Sequence, residues 1–329
     1  MKTHIYGTLG PACASEETLE SLLRLGMSGV RLNLSHCTLP EAAEQVEALH
    51  RAADRCGVKP ELLIDMQGPE LRIGVLAQPL PLPTGEEIAL ASIPLPPAVW
   101  EKLAPGKQLL LDDGKLLLRA LSRDRASVIR GGLLQSRKSV AVPGEEIVLP
   151  ALTQGDLDSI AVAAAYGVTG LMQPFVRRRE DLEAVRAALA EAGCGGIRLF
   201  AKIESREGMA RLPELLPACD EIVIARGDLG NAMPLWELPA AQKHIAAQCR
   251  AAGRDFMVVT QMLSSMEHCP VPTRAEVSDV FNAVLEGASS VMVTGETATG
   301  EYPAEVIRYL VRTVEEAESF LEKRKGEET

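Results

Sequence analysis

The sequence lacks the clustered positive charge that a polyanionic partner requires. Its 329 residues carry a formal net charge of −11, and no run of Lys and Arg is longer than Arg177-Arg178-Arg179. Because phosphate backbones are bound by grouped cations, nucleic acid is not expected as a partner. No apolar run approaches the roughly 20 residues of a membrane-spanning helix. The sequence therefore predicts a soluble protein with no membrane association.

Paired cysteines are also missing. The seven cysteines are an odd number, and no two of them form a C-x-x-C pair. Nothing at the start of the chain resembles a signal peptide. Disulfides persist in oxidising compartments, so this pattern predicts a reduced, cytoplasmic protein.

Short apolar runs alternate with helical patterns along most of the chain. Three candidate strands come before position 75 and five come after position 150: HIYGTLG, SGVRLNLS, ELLIDMQG, VTGLMQPF, IRLFAKIE, EIVIARGDL, DFMVVTQM and SSVMVTGE. Amphipathic helical patterns separate them. Eight strand–helix units with nearly continuous apolar strands predict an α/β fold, a (β/α)8 TIM barrel.

A segment of different character interrupts this alternation between Val75 and Ser139. It contains QPLPLPTGEEIALASIPLP, LLLDDGKLLLRAL and RASVIRGGLL, which read as short strands separated by Pro and Asp-Gly turns. We expect a small β-rich lid domain at 74–140, inserted after strand 3, and a barrel formed by 1–73 and 141–329. The barrel then has 262 residues, close to the typical ~250. An insert at this point can cover the mouth of the barrel and exclude water.

Polar side chains follow the predicted strands at their carboxyl ends, where barrels of this type carry out chemistry. They are Arg31, Asn33, Ser35 and His36 from strand 2, Asp65 from strand 3, Lys202 and Glu204 from strand 5, Asp228 from strand 6, Thr260 from strand 7, and Thr294 and Glu296 from strand 8.

The charged residues after strands 5 and 6 predict a metal-assisted active site. Lys202 and Glu204 are two residues apart, so they share one face of a strand, and Asp228 arrives from the next strand. A few carboxylates together with substrate oxygens are the usual ligands of Mg²⁺, and a lysine can neutralise developing negative charge. The alternative is a structural ion pair between Lys202 and Glu204, although two charges in a barrel mouth are costly without a ligand or metal.

Structural interpretations stay open for other strand-end residues. Asn33 and Ser35 can cap the helix that follows strand 2. Thr260 and Thr294 are β-branched strand residues that can simply pack. The step Asp112-Asp113-Gly114 indicates a hairpin turn rather than a ligand site.

Nine motifs follow one another along the chain: VRLNLSH, IDMQGPELRIG, DDG, SRKSVAVPG, AKIESREG, ARGDLG, TQMLSSM, PTRAEVSDVFNAV and GETATGEYP. They occur in the same order in the pyruvate kinases, which the chain therefore resembles. The likeness runs from Thr8-Leu9-Gly10-Pro11 to the final helix. It implies a glycolytic phosphotransferase that transfers phosphate from phosphoenolpyruvate to ADP, giving pyruvate and ATP.

The same resemblance implies a shortened lid and no C-terminal regulatory domain. We therefore expect no activation by sugar phosphates, since the family binds that effector in the regulatory domain. Barrel helices can still pair subunits, and a homo-oligomer, such as a symmetric dimer, is expected.

Roles for the residues after strands 5, 6 and 7 follow from the resemblance. Glu204 and Asp228 would hold the catalytic Mg²⁺. Lys202 would stabilise the transferring phosphoryl group and the enolate. Thr260 would help to bind the substrate carboxylate and take part in proton transfer. The backbone amides of Gly227 and Asp228 would also receive that carboxylate, as the start of a helix favours.

The resemblance also implies a phosphate and nucleotide site and a second cation site. Arg31 and Arg72 would neutralise phosphate charge, and His36, Arg72 and Lys138 would contact the nucleotide, which brings a second Mg²⁺. A K⁺ site would be formed by Asn33, Ser35, Asp65 and the carbonyl of Met66. Glu70 matches the members of the family that require K⁺.

Departures from the family pattern cluster on the nucleotide side. In the family a glycine stands at Cys37 and at Val277, a lysine at Gln67 and at Thr299, a serine at Pro174 and a glutamate at Ala232. Two alternatives to a kinase therefore stay open. One is a metal-dependent lyase or decarboxylase that acts on pyruvate or oxaloacetate through an enolate; the other is a non-catalytic paralogue. Dependence on ADP separates the kinase from the lyase.

Overall fold

Fifteen strands occur in the parts of the chain that the computed structural model describes, residues 2–35, 37–69, 71–112, 114–145, 147 and 149–327. In chain order they are β1 (His4–Thr8), β2 (Gly29–Asn33), β3 (Glu61–Asp65), β4 (Leu80–Leu82), β5 (Glu87–Ala89), β6 (Gln108–Leu111), β7 (Leu116–Ala120), β8 (Arg125–Arg130), β9 (Gly132–Leu134), β10 (Val140–Ala141), β11 (Gly170–Gln173), β12 (Arg198–Ile203), β13 (Glu221–Ala225), β14 (Asp255–Val259) and β15 (Ser290–Met292).

Helices follow most of the strands. Over the same residues the α-helices are α1 (Glu16–Arg24), α2 (Ala43–Cys56), α3 (Pro97–Lys102), α4 (Gln154–Val162), α5 (Arg179–Glu191), α6 (Arg206–Ala210), α7 (Leu212–Leu215), α8 (Arg226–Asn231), α9 (Leu238–Ala251), α10 (Arg274–Leu285), α11 (Gly295–Ala298) and α12 (Pro303–Glu327). Short 3-10 helices span Leu90–Ser92, Ala163–Tyr166, Leu216–Ala218 and Ser264–Glu267.

Eight parallel strands close into a barrel in the order β1-β15-β14-β13-β12-β11-β3-β2. Closure is made by the pairing of β1 with β15, in which Tyr6 lies opposite Met292. On its other edge β1 pairs with β2, and Tyr6 lies opposite Gly29. The eight strands are those expected from the apolar runs, and helices separate them along the chain. The predicted (β/α)8 barrel with a β-rich insert after its third strand is therefore confirmed.

Both faces of the barrel strands are buried, which explains why the strands read as continuous apolar runs. One set of side chains fills the interior of the barrel: Tyr6, Leu63, Met172, Phe200, Val223, Ala225, Met257, Val259 and Met292. The alternating set packs against the surrounding helices. On α1, for example, Leu19, Leu22 and Leu23 are buried, at the spacing that places side chains on one helical face.

The amino-terminal end of the barrel is closed by a polar network. Arg198 donates to Glu221 Oε2 at 2.7 Å and to Glu61 Oε2 at 3.2 Å, and its guanidinium lies 4.8 Å from the centroid of the Phe200 ring. Tyr6 Oη donates to Glu61 Oε2 at 2.9 Å. Burial, together with the charge of Glu61, raises the pKa of Tyr6, and burial raises the pKa of Glu221. This network stabilises the end opposite the predicted site.

The chain divides into two compact units, Met1–Gly68 with Ala151–Thr329 and Pro69–Pro150. The second unit contains a five-stranded antiparallel sheet of order β10-β6-β7-β8-β5 and the two-stranded sheet β4-β9. It has its own apolar core, which includes Leu90, Leu109 and Leu118. The sequence-based limits 74–140 fall inside this unit and stay a prediction.

In the barrel unit, the chain on either side of the insert is fixed by two buried side chains. Asp156 accepts the backbone N–H groups of Gln67 at 2.9 Å and Gly68 at 3.1 Å, and it also closes the capping box of α4. Gln173 Nε2 donates to the carbonyl of Ala151 at 2.7 Å. These bonds fix the ends of the barrel unit from which the insert departs.

No described helix is at once long enough and apolar enough to cross a membrane.

Candidate active site

Asp65 lies at the centre of the charged groups at the carboxyl end of the barrel. This buried carboxylate accepts Arg31 Nε at 2.8 Å and Nη2 at 2.7 Å. Lys202 Nζ lies 3.1 Å from each oxygen of Asp65. Burial opposes ionisation of Asp65, but the charges of Lys202 and Arg31 outweigh it and hold the pKa of this carboxyl below its usual range. Asp65 therefore fixes two cations from different strands at one point.

Lys202, on β12, and Glu204, directly after that strand, meet as their spacing predicts. Lys202 Nζ lies 3.1 Å from Glu204 Oε1. The second oxygen, Oε2, accepts the backbone N–H of Phe175 at 2.7 Å. Burial would lower the pKa of Lys202, but the carboxylates of Asp65 and Glu204 reverse that effect and raise it above its ordinary value. The lysine is thus held as a cation.

Glu204 is a buried carboxylate without enough positive charge around it. Burial is the main cause that raises its pKa to about 7, and the charge of Asp228 adds to the rise, whereas Lys202 acts in the opposite direction. Asp228 lies in α8, three residues after the last residue of β13, rather than on the strand itself. A cation between Glu204 and Asp228 would remove the cost of their mutual repulsion, so this donor pair fits a hard divalent metal.

Among the described residues, no group of three or more His, Cys, Asp or Glu side chains is arranged as a complete metal site. Two carboxylates leave most positions around a Mg²⁺ to oxygens of a substrate or of water, which is how this ion is commonly bound at phosphate-processing sites. The donor set therefore suits a metal that is completed by a ligand.

Thr260 lies directly after β14 and not within it, in contrast to the sequence-based strand. Its φ angle is +80°, and that of Gln261 is +54°. A β-branched residue in this region is a genuine outlier, and such backbone strain costs about 1–3 kcal/mol. The side chain of Thr260 faces Gly227, since a carbon added at Gly227 would lie 3.1 Å from Thr260 Cγ2. The structure thus brings together the two residues expected to bind a carboxylate.

The residues expected at a K⁺ site lie on β2, on β3 and just beyond them. Asn33 is paired in register with Asp65. The side-chain oxygen of Asn33 accepts the backbone N–H of Ser35 at 3.1 Å, and Met66 follows Asp65 as a buried residue. The N-cap position of α2 is Ala42. The alternative that Asn33 or Ser35 caps that helix is therefore wrong.

Two of the expected phosphate and nucleotide residues lie in the inserted unit. Arg72 Nη1 donates to the carbonyl of Arg137 at 2.9 Å, and Lys138 Nζ lies 2.9 Å from Asp112 Oδ1. They are near one another, because Ile73 N–H donates to the Lys138 carbonyl at 2.9 Å and Arg72 and Ser139 form an isolated β-bridge. His36 and Glu70 lie outside the described residues.

Thr294 and Glu296, also noted at the strand ends, bond to one another. Glu296 Oε2 accepts the N–H of Thr294 at 2.7 Å, and Oε1 accepts the N–H of Leu263 at 3.1 Å. Glu296 is 1% exposed. These bonds join the segments after β14 and β15, so the two residues have a structural role.

Three contributors to the site were missed by the sequence analysis. Thr8, the last residue of β1, accepts Arg31 Nη1 at 3.4 Å, and the strand-end rule that found the others would have found it. The amide of Phe175 donates to Glu204, and Phe175 has a φ of +51°, which nothing in the sequence signals. Arg226 was noted within its motif but was given no role, although its guanidinium binds the Thr260 carbonyl at 2.7 Å.

Comparison with known proteins places this geometry in a family. Residues 1–307 match the family described as pyruvate kinase, barrel domain. The chain is 38% identical to a pyruvate kinase of Methylorubrum extorquens, covering 96% of this chain and 69% of that protein. It is 35% identical to a pyruvate kinase of Geobacillus stearothermophilus, covering 98% of this chain and 58% of that protein, and 36% identical to one of Aeropyrum pernix, covering 94% and 69%. The chain thus spans roughly three fifths to two thirds of these relatives' length, and it belongs to the pyruvate kinase family.

Proposed function

We propose that this chain is a phosphotransferase that moves the phosphoryl group of phosphoenolpyruvate to ADP and releases pyruvate and ATP in glycolysis. The observation that carries the proposal is Lys202, whose side chain is only 14% exposed and is held as a cation between Asp65 and Glu204 at the carboxyl end of the barrel. Membership in the pyruvate kinase family supports the same reaction. Phosphoryl transfer requires positioning and charge stabilisation rather than covalent chemistry from the protein.

The charge balance of the site supports a divalent cofactor. The two cations Arg31 and Lys202 face the three carboxylates Asp65, Glu204 and Asp228, which leaves one excess negative charge when all are ionised. An anionic substrate would be repelled by this arrangement. Glu204 and Asp228 would hold Mg²⁺, which when bound supplies Lewis-acid stabilisation to substrate oxygens. With that ion the site becomes net positive and suits phosphoenolpyruvate.

The side chains of the barrel then have separate tasks. Lys202 offsets the negative charge that develops on the transferring phosphoryl group and on the enolate oxygen, because it stays protonated. Arg31, fixed by Asp65, neutralises phosphate charge. The backbone amides of Gly227 and Asp228 and the hydroxyl of Thr260 bind the substrate carboxylate. Thr260 also takes part in delivering a proton to the enolate carbon.

A monovalent cation site and a nucleotide site complete the proposal. K⁺ would be bound by Asn33, Ser35, Asp65 and the Met66 carbonyl. The nucleotide, with its own Mg²⁺, would be contacted by His36, Arg72 and Lys138. We further propose that the protein acts in the cytoplasm and assembles as a homo-oligomer.

Pyruvate formation from phosphoenolpyruvate tests this function, measured with Mg²⁺ and K⁺ and with ADP either present or omitted. The proposal predicts that pyruvate and ATP appear in equal amounts and only with ADP. Pyruvate release that is indifferent to ADP would indicate a lyase or phosphatase instead. Absence of release under all conditions would exclude the kinase.

A further inference from the structure

The backbone after β14 adopts a conformation that its own sequence disfavours. Thr260 and Gln261 have φ angles of +80° and +54°, and neither is a glycine. A β-branched residue in the left-handed region is unfavourable. Such residues persist only where the surrounding structure imposes the conformation. At this point Arg226 contacts the backbone carbonyl of Thr260.

Arg226, the first residue of α8, binds the carbonyl of Thr260 with two of its nitrogens. Nε donates at 3.1 Å and Nη2 at 2.7 Å. Nη2 also lies 3.0 Å from Sδ of Met262. A guanidinium presents its N–H groups in one rigid plane, so two donors on one oxygen fix both the position and the direction of that carbonyl.

The guanidinium of Arg226 is itself fixed from the helical layer. Nη1 lies 2.8 Å from Oδ1 and 2.7 Å from Oδ2 of Asp279 on α10, and 3.5 Å from Oε1 of Gln242 on α9. Gln242 is held in turn by Glu286 at 2.9 Å. The Arg226 side chain is 12% exposed. Arg226 thus holds a backbone carbonyl in place. Arg31, in contrast, pairs with Asp65 among the charged side chains of the site.

Arg226 also connects two segments that meet at the proposed carboxylate site. The next residue, Gly227, packs against the Thr260 side chain, because a carbon added there would lie 3.1 Å from Cγ2 and 3.7 Å from Oγ1. One side chain therefore ties the start of α8, which offers backbone amides, to the end of β14, which offers a hydroxyl. A small movement of Arg226 would change the distance between these donors.

We propose that Arg226, held by Asp279, is a positioning residue that sets the Thr260 hydroxyl and the Gly227 amide at the distance that a substrate carboxylate requires. This inference rests on the proposed function, since it assigns the carboxylate of phosphoenolpyruvate to that site. Arg226 acts through Thr260 and does not touch the substrate.

A double-mutant cycle tests the proposal, with Arg226→Met, Thr260→Ala and the combined variant measured for kcat and KM with phosphoenolpyruvate. We expect Arg226→Met to lower kcat/KM by about 100-fold, the scale of a misplaced catalytic group. The combined variant should match Thr260→Ala to within about threefold, because residues that act through one another do not contribute independently. If the two losses multiply instead, Arg226 does not act through Thr260 and the proposal is overturned.

Arg206→Met is the matched control. Arg206 also donates to a carbonyl, that of Ala232 at 3.2 Å, and pairs with a carboxylate, Glu237, at 2.7 Å. Its side chain is 53% exposed. We expect its loss to change kcat/KM less than about threefold, as for most surface substitutions. A loss as large as that of Arg226→Met would contradict a specific role for Arg226.

Arg226→Lys and Asp279→Asn keep the test decisive if Arg226→Met does not fold. Lysine keeps the charge but cannot reproduce the planar fork, so the proposal predicts that Arg226→Lys fails to restore kcat/KM. Asp279→Asn should lower kcat/KM in the same direction without altering any group that touches the substrate. Wild-type kinetics in both variants would overturn the proposal.

Binding of oxalate separates this proposal from the proposed function. Oxalate with Mg²⁺ presents a planar carboxylate beside a second anionic oxygen, and its binding is measured by calorimetry without ADP or turnover. A wild-type chain without ADP-dependent turnover would refute the kinase. If Arg226→Met nevertheless weakened oxalate binding by about tenfold or more, the role of Arg226 would be supported. Unchanged oxalate binding in Arg226→Met would contradict the positioning role of Arg226, whichever reaction the protein catalyses.

Discussion

Lys202 Nζ lies 3.1 Å from both carboxylate oxygens of Asp65, although 137 positions separate the two residues in the chain. The two side chains come from β3 and β12, which are separated in the barrel by β11 alone. Their contact fixes a mostly buried cation where β3 and β12 end. The proposed chemistry depends on this placement, because the same lysine also reaches Glu204 at 3.1 Å.

Replacing Asp65 with asparagine should reduce both stability and turnover. The variant leaves Arg31 and Lys202 close together with less negative charge between them, and breaking a buried ion pair costs about 3–5 kcal/mol. We expect the free energy of unfolding, measured with urea, to fall on that scale, and kcat to fall by at least about tenfold. Asp220→Asn is the control, since Asp220 pairs with Arg186 at 2.6 Å at a more exposed position. Equal effects of the two variants would show that Asp65 has no special role.

Glu204→Gln should weaken binding of a divalent metal. The amide keeps the size of the side chain and can still accept the Phe175 N–H, but it removes the charge that attracts a hard cation. We expect Mn²⁺ affinity, measured by calorimetry, to fall by at least about tenfold, the lower range for disturbed metal sites. Glu207→Gln should bind Mn²⁺ as the wild type does, since Glu207 lies on α6, only three residues away, and pairs with Arg211 just beyond that helix. Unchanged affinity in Glu204→Gln would place the metal elsewhere.

Gly227→Ala should disturb catalysis through steric pressure on Thr260. The added carbon would lie 3.1 Å from Thr260 Cγ2, which is tighter than ordinary contact. We expect kcat/KM for phosphoenolpyruvate to fall by about tenfold or more. Adding Thr260→Ser removes the opposing methyl group and should restore part of the loss. Gly195→Ala, where no atom lies within 4 Å, is the control; an equal loss in both glycine variants would argue against contact with Thr260.

The buried Glu221 should make stability depend on pH. Burial raises its pKa in the folded protein above the ordinary value of 4.5, although the bonds from Ser290 and the charge of Arg198 act in the opposite direction. An acid whose pKa is raised by folding contributes stability below its unfolded pKa, and that contribution is lost as the pH rises through the folded pKa. The wild type should therefore lose stability relative to Glu221→Gln as the pH increases.

Urea unfolding of both proteins at about pH 5 and about pH 8 measures this effect. We expect the free energy of unfolding of the wild type minus that of Glu221→Gln to be smaller at the higher pH. Glu183→Gln is the control, because Glu183 is 54% exposed and pairs only with Arg179 among the contacts described. If this difference in the free energy of unfolding were larger at the higher pH, the pKa of Glu221 would be lowered by folding and not raised.

The fold and the strand-end residues were accessible from the sequence because both depend on short-range patterns. Strands buried on both faces appear as apolar runs, and the spacing of Lys202 and Glu204 places them on one face. Which carboxylate completes their site was not visible, since Asp65 reaches Lys202 only because β3 and β12 lie on either side of β11 in the barrel. The partners of Lys202 are set by the strand order, which no local pattern encodes.

The conformations of Thr260 and Phe175 could not have been predicted. Both residue types favour strands, yet each has a positive φ. At Thr260 it is accompanied by the bonds from Arg226 to the carbonyl, and at Phe175 by the bond from the amide to Glu204. At these two positions local propensity predicts an extended backbone conformation, and that prediction is wrong. The capping of α2 by Asn33 or Ser35 failed for a related reason, because the helix begins only at Ala43. Such deviations from local preference are expected where a site stores strain.

The proposed role of Lys202 in phosphoryl transfer is tested most directly by pyruvate formation from phosphoenolpyruvate and ADP, with Mg²⁺ and K⁺, by the wild type and by Lys202→Met. Methionine keeps most of the apolar stem but removes the cation that would stabilise the transferring phosphoryl group. We expect ADP-dependent turnover in the wild type and a loss of at least about 1,000-fold in kcat for the variant, because Lys202 would stabilise charge in the transition state. Circular dichroism should show the same fold for both proteins. Unchanged turnover in Lys202→Met would show that Lys202 does not stabilise the transferring phosphoryl group.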